Sequence, residues 1–117
     1  MTSFLFAPLA LRELTLENRI MVSPMCQYSF VGGSLSDWHI AHLGMLSMSG
    51  AGLLCFEMTD VEPIDRISPA CAGLYSDANE SAARRVVDFC RAPGSRLTRL
   101  SHDSIIVRGY PQTIRTM

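Results

Sequence analysis

Two short apolar runs constrain this chain more than any other feature: Ile20-Met21-Val22 and Leu53-Leu54-Cys55-Phe56. Neither alternates with polar residues, so each reads as a strand covered on both faces, as in parallel sheets shielded by helices. Pro24 cannot donate to a ladder and closes the first run after Ser23, while Glu57-Met58-Thr59 closes the second. Between them, Val31-Gly32-Gly33-Ser34 reads as a turn. Ser36 then serves as N-cap of a helix from Asp37 to about Ser49, with Asp37 favourable against the helix dipole. Trp38, Ala41, Met45 and Met48 recur at helical spacing and form its apolar stripe, and Gly50 and Gly52 stop it. Strand, helix and strand within about forty residues make a βαβ unit of right-handed sense.

Upstream, Leu14-Thr15-Leu16-Glu17 alternates apolar and polar residues and pairs with the segment from Phe4 to Leu9 as a small hairpin or lid. Downstream, residues Asp60 to Tyr75 lack a regular period and include Pro63, Pro69 and Gly73, which predicts a long loop of the kind that is functional or disordered. Asp77-Ala78-Asn79-Glu80 resembles a capping box with Asp77 as the cap. The helix it opens carries Ala82, Val86, Phe89 and Cys90 on one face and closes near Pro93-Gly94. Beyond it only Ile105-Ile106-Val107 is strand-like. The expected class is α/β, in the order hairpin, strand, helix, strand, long loop, helix, and one further short strand.

A chain of 117 residues is one domain or a piece of one. Its net charge of −1 argues for neither a nucleic-acid partner nor a membrane surface. Residues 1–90 hold 5 arginines and 10 acids, whereas residues 91–117 hold 5 arginines and 1 acid, and lysine is absent. That basic tail lacks helical periodicity and offers only Tyr110 as an aromatic, a poor match to a nucleic-acid binder. No apolar run approaches the ~18 residues of a membrane span. The start lacks a basic segment followed by a long apolar one, so the expected location is the cytoplasm. Cys26, Cys55, Cys71 and Cys90 are irregularly spaced without a C-x-x-C pair, which reads against a disulfide framework. It reads equally against a zinc site shared with His39, His42 or His102. His39 and His42 read as one packed and one exposed imidazole.

Strand ends are where α/β proteins tend to place their chemistry, and here a thiol and a phenol stand two positions apart just past the first strand. By residue type alone, Cys26 is a small buried apolar group and Tyr28 a packed surface aromatic. The wider pattern changes that reading. Leu5-Phe6-Ala7-Pro8, Leu16-Glu17-Asn18-Arg19-Ile20, Ser23-Pro24-Met25-Cys26-Gln27-Tyr28, Asp37-Trp38-His39 and His42-Leu43-Gly44 follow one another. Gly50-Ala51-Gly52-Leu53 then leads into Glu57, and Val61-Glu62-Pro63 precedes Arg66-Ile67-Ser68. In this order and spacing, residues 5–94 resemble the old yellow enzyme family of FMN-dependent NADH:flavin oxidoreductases.

The resemblance implies the N-terminal portion of a (β/α)8 TIM barrel, with FMN across the C-terminal strand ends and NAD(P)H as reductant. It implies reduction of activated C=C bonds in small enones or enals. Ser23, Pro24, Met25 and Cys26 would border the flavin, with Cys26 tuning its reduction potential, and Tyr28 would contact substrate. Met58 and Thr59 are further cofactor candidates at the second strand end, although Met58 stands where the family has a small residue. Trp38 and His39 would brace the helix, and Glu57 would be a buried acid partnered by an arginine. No catalytic or metal-ligating residue is assigned, and His39 and His42 are not the family's carbonyl-polarising pair. After residue 94 the pattern departs. Arg99-Leu100-Ser101-His102-Asp103 echoes a Gln-Leu-x-His-x-Gly-Arg stretch, with Arg99 where the flavin-contacting Gln belongs. Residues 1–94 thus read as part of an FMN-binding barrel domain, and residues 95–117 as a divergent basic tail of frame-shifted origin. A barrel of this kind needs about 250 residues. The alternative expectation is therefore a non-catalytic fragment that binds flavin poorly.

Overall fold

The computed structural model describes residues 3–91 and the backbone of residues 107–108. Its organising pair is β3 (Met21–Val22) beside β4 (Leu53–Leu54), parallel, with Met21 opposite Leu53 and Val22 opposite Leu54. Two residues per strand cannot hold a register through their own ladder, and one side chain supplies what is missing. Asn18 Oδ1 accepts the Ile20 N–H at 3.0 Å and the Gly52 N–H at 2.9 Å, while its Nδ2 donates to the Gly50 carbonyl at 2.9 Å. Gly52 is required there, because a Cβ would sit 2.6 Å from the Asn18 carbonyl oxygen. Ahead of this pair, β1 (Leu9–Leu11) and β2 (Leu14–Leu16) form an antiparallel hairpin with Leu9 opposite Leu16, its first arm later than the expected Phe4 to Leu9, where Phe4–Phe6 is a 3-10 helix. Arg12 takes the left-handed region at its turn, φ 54°.

The crossover is α1 (Asp37–Ser47), which starts at Ser36 as the sequence predicts. The burial of that helix corrects the expectation. Trp38, Met45 and Met48 are 45%, 59% and 61% exposed, and the buried residues are His39, Leu43, Gly44 and Ser47. α1 is apolar around most of its circumference, so periodicity alone does not select the inner face. α2 (Asp77–Cys90) begins one residue earlier than expected: Ser76, not Asp77, is its cap, its Oγ accepting the Asn79 N–H at 3.2 Å. Val86 and Cys90 face inward as predicted, whereas Phe89 is half exposed and lies against Gly44, where a Cβ would come within 2.6 Å of its ring. The two helices cover one side of the parallel pair through a core of Leu43, Leu54, Val86 and Cys90.

The second strand is shorter than its apolar run. β4 stops at Leu54, and a separate β5 (Thr59–Asp60) pairs in parallel with β6 (Ala72–Gly73). The expected irregular loop therefore contains a strand and a one-turn 3-10 helix, Pro63–Asp65. Elements of two or three residues are too short to imprint a period on the sequence. β7 (Val107–Arg108) pairs in parallel with the other side of β5, overlapping the expected further strand at Val107. Ile105, Ile106, the Arg99–Asp103 stretch and the boundary at residues 94 and 95 lie outside the described residues. Among the described residues the sheets do not close on themselves, and no helix is long and apolar enough to cross a membrane.

Asn18→Ala should lower stability by about 2 kcal/mol, since it removes three hydrogen bonds and strands the Gly52 N–H and Gly50 carbonyl. Asn18→Asp, which keeps both acceptor bonds, should cost roughly half as much, read as urea midpoints at constant m.

Candidate functional site at the strand ends

Because β3 and β4 run in parallel, the segments that leave them emerge side by side. The Met58 main-chain N–H faces the Cys26 sulfur and opposes the rise of the thiol's pKa. Beside it, Glu57 Oε2 accepts the Gln27 N–H at 2.9 Å. The segment between is braced within itself: Gln27 Nε2 donates to the Met25 carbonyl at 3.0 Å and Ser29 Oγ to the Gln27 carbonyl at 3.1 Å. Tyr28 then takes φ 50°, a conformation costly for a bulky residue and one found where a loop aims a side chain. The result is an outward shelf: Cys26 is exposed, and Met25 and Tyr28 are 54% and 49% exposed.

A shallow depression opens beside this shelf. Ser23, Met25, Cys55 and Glu57 line it from the strand ends, and His39 and His42 from α1. His39 is buried, and its Nδ1 accepts the Ser36 N–H at 3.0 Å, taking the place that Glu or Gln usually fills in a capping box. In the neutral ring the proton therefore sits on Nε2, which is buried without a hydrogen-bond partner among the described residues. Burial, and secondarily the neighbouring His42, hold the His39 pKa below its ordinary value. His42 is partly exposed and stacks on Trp38 at 4.9 Å, matching the expectation of one packed and one exposed imidazole.

The other ionisable groups follow the same physics. Burial pushes the Glu57 carboxyl above its ordinary range, opposed by the Gln27 N–H. Burial and then the Glu57 charge push the Cys26 thiol up, opposed by the Met58 N–H, so the sulfur is a neutral S–H at pH 7. The expectation of an arginine partner for Glu57 is corrected: its partner is a main-chain amide, and neither described ion pair involves it. Of the candidate residues, Ser23, Met25, Cys26 and Met58 gather at the strand ends with Pro24 between them, and Tyr28 stands outward. Thr59 is buried in β5, its hydroxyl donating to the Glu57 carbonyl at 3.0 Å. Sequence reasoning passed over Asn18 and undervalued Glu57, whose only local signal is a charged residue closing an apolar run. The four cysteines are free thiols, and no cluster of three His, Cys, Asp or Glu among the described residues could hold a metal ion.

The sequence pattern of the NADH:flavin oxidoreductase / NADH oxidase family matches residues 4–98. The chain belongs to that family. It is 36% identical over 98 residues to an NADH:flavin oxidoreductase of Gibberella zeae, covering 83% of this chain and 24% of the relative. It is 38% identical over 96 residues to an NADPH dehydrogenase of Listeria monocytogenes, covering 80% and 28%. Among solved structures, morphinone reductase superposes with a TM-score of 0.70 at 30% identity over 82% of this chain and 26% of that one. The old yellow enzyme from Trypanosoma cruzi gives 0.67 at 29% identity over 79% and 25%. The chain thus spans about a quarter of the length of the relatives it matches. Its fold is α/β, the N-terminal portion of the TIM barrel of these enzymes.

FMN with NAD(P)H as reductant is the pairing of this family. The strand-end residues fit part of that cofactor. An exposed shelf of thioether, thiol and phenol suits the face and edge of a flat aromatic ring. The phosphate is a different matter, because the depression is lined by a carboxyl and two imidazoles, with no arginine among the described residues of its walls.

The His39 environment has a measurable consequence. With its folded pKa below the ordinary 6.5, the unfolded chain takes the proton first. The stability so contributed is complete above pH 6.5 and is lost as the pH falls from 6.5 through the folded value. The urea midpoint should decline across that window. His39→Gln, which preserves a capping-box side chain without titrating, should flatten the decline; an equally steep one would assign it elsewhere.

Proposed function

We infer that this chain provides the first strand ends of an FMN-dependent NAD(P)H oxidoreductase of the ene-reductase type, acting on small enones or enals. The observation that carries this is the 2.9 Å bond from the Gln27 N–H to Glu57 Oε2, which joins two strand ends beneath an exposed Met25, Cys26 and Tyr28. Flavin bound there supplies hydride transfer from a nicotinamide to the β-carbon of an activated C=C bond. In that setting Ser23, Pro24, Met25 and Met58 border the ring, with Thr59 contributing main chain only. Cys26 offers a neutral S–H at the ring edge, and Tyr28 offers an apolar body with a hydroxyl that can orient a substrate carbonyl.

A second reading applies to the chain on its own: it contacts the flavin ring but neither encloses the cofactor nor anchors its phosphate, and so does not turn over. Its support is that, among the described residues, the depression has no arginine on its walls and the sheets stay open. Phosphate sites in such barrels are frequently built by the loops after strands 7 and 8.

One titration tests both. If only the ring is recognised, FMN and riboflavin should bind the purified chain weakly and within about twofold of each other, because the phosphate adds nothing. Cys26→Ala should weaken both alike and shift the reduction potential of whatever flavin is bound. Stoichiometric FMN binding at least tenfold tighter than riboflavin would defeat the second reading. A Cys26→Ala chain with unaltered titrations and potential would remove the strand ends from the flavin site.

A further inference from the structure

Glu57 stands apart in the mechanism just described: it is 6% exposed, yet it has no assigned part in binding or chemistry. Burial of a carboxylate is costly unless the charge is answered by hydrogen bonds or a cation. Among the described residues the answer is one main-chain donor, the Gln27 N–H at 2.9 Å. The ionisable groups acting on the Cys26 sulfur are Glu57, Cys71 and Asp60, and His39 and His42 line the depression with Glu57. None of these is a fixed cation. A hydrophobic residue or a Gln would occupy the same space without that charge. Its position is also specific, since its bond to the Gln27 N–H sets the backbone next to Cys26, whose sulfur faces the Met58 amide.

We propose that Glu57 is a positioning residue that clamps the Cys26–Tyr28 segment to the end of β4 and, through its charge, suppresses the nucleophilicity of the Cys26 thiol. The clamp fixes the backbone beside Cys26 and sets the point from which the chain turns through the left-handed Tyr28. The charge acts in the same direction as burial, pushing the thiol up. An exposed thiol held neutral can donate a hydrogen bond beside a redox-active ring without forming an adduct or being oxidised by passing electrophiles. The value of that restraint rests on the flavin reading above; the clamp and the charge effect do not.

Both parts can be read without flavin, on the full chain, by peptide-resolved alkylation of Cys26 with iodoacetamide across pH and by amide exchange at Gln27. Glu57→Gln keeps an oxygen acceptor for the Gln27 N–H and removes the charge. It should leave Gln27 exchange as in the parent and make Cys26 react severalfold faster near neutral pH. Glu57→Ala removes both and should also speed Gln27 exchange about tenfold. Cys90 is fully buried, and its lack of reaction reports that the fold persists. Parent-like Cys26 reactivity in Glu57→Gln would overturn the charge role, and unchanged Gln27 exchange in Glu57→Ala would overturn the clamp. Reaction of Cys90 in Glu57→Gln would make the carboxylate a support of the whole fold, against the local role assigned. Failure of the parent chain to bind flavin would bear on the proposed function alone.

Discussion

Parallel strands cannot be joined by a tight turn, so their register must be set by something other than the connection between them. In this chain the pair concerned is two residues long on each side. A slip of one residue would turn Val22 and Leu54 away from the helices and expose the opposite set. Asn18 prevents it from the start of the pair, holding Ile20, Gly50 and Gly52 with one amide. Glu57 does the corresponding work at the other end, on Gln27, where the Met58 amide faces the Cys26 sulfur. The short ladder is thus bracketed by side-chain to main-chain contacts, and the site exists because the second bracket lies where the strands emerge. A site built this way inherits its geometry from register, before any property of its own residues.

What could be read from the sequence follows from how far each signal extends. The second arm of the hairpin, the two apolar runs, the Ser36 cap and the course of α2 each have an element where one was expected, although the strands are shorter than their runs. The inner face of α1 was not legible. His39, a residue type usually placed outside, is buried, while Trp38 and Met45 are not. A helix apolar on most sides presents no contrast from which to choose, and the choice falls to packing against Leu54 and Val86. β5 and β6 left no trace because a two-residue strand has no period. At the site, the grouping of Ser23, Met25 and Cys26 was visible through a family pattern and not through physics. Residue type alone made Cys26 a buried apolar group, and it is exposed. Glu57 was visible as a buried acid, but its partner is a main-chain amide, which no residue pattern announces.

Buried side-chain amides recur wherever strands are too short to tie the structure together. Asn79, on the first turn of α2, donates through Nδ2 to the Gly32 carbonyl at 3.0 Å and to Ser34 Oγ at 2.8 Å. Its Oδ1 accepts from Ser76 Oγ at 2.8 Å, and Tyr75 OH adds a second donor to the Gly32 carbonyl at 3.2 Å. The Gly33 carbonyl accepts the Gly73 N–H at 2.9 Å, and Phe30 N–H reaches the Ala70 carbonyl at 3.3 Å. The stretch between the first strand end and α1 is therefore fastened to the β6–α2 region at several points.

This fastening explains how Tyr28 can keep a left-handed backbone. A strained residue relaxes if either flank is free to rotate, so its persistence needs both flanks fixed. One flank is held at Gln27 by Glu57, and the other at Phe30 and Gly32 by Ala70 and Asn79. Tyr28 is thus pinned between the end of β4 and the start of α2, two elements that share the core of Leu54 and Val86. The orientation of the one phenol on the shelf depends on contacts with segments far from it in sequence. A short peptide carrying Ser23–Tyr28 alone would have every residue of the motif and none of the strain that aims it.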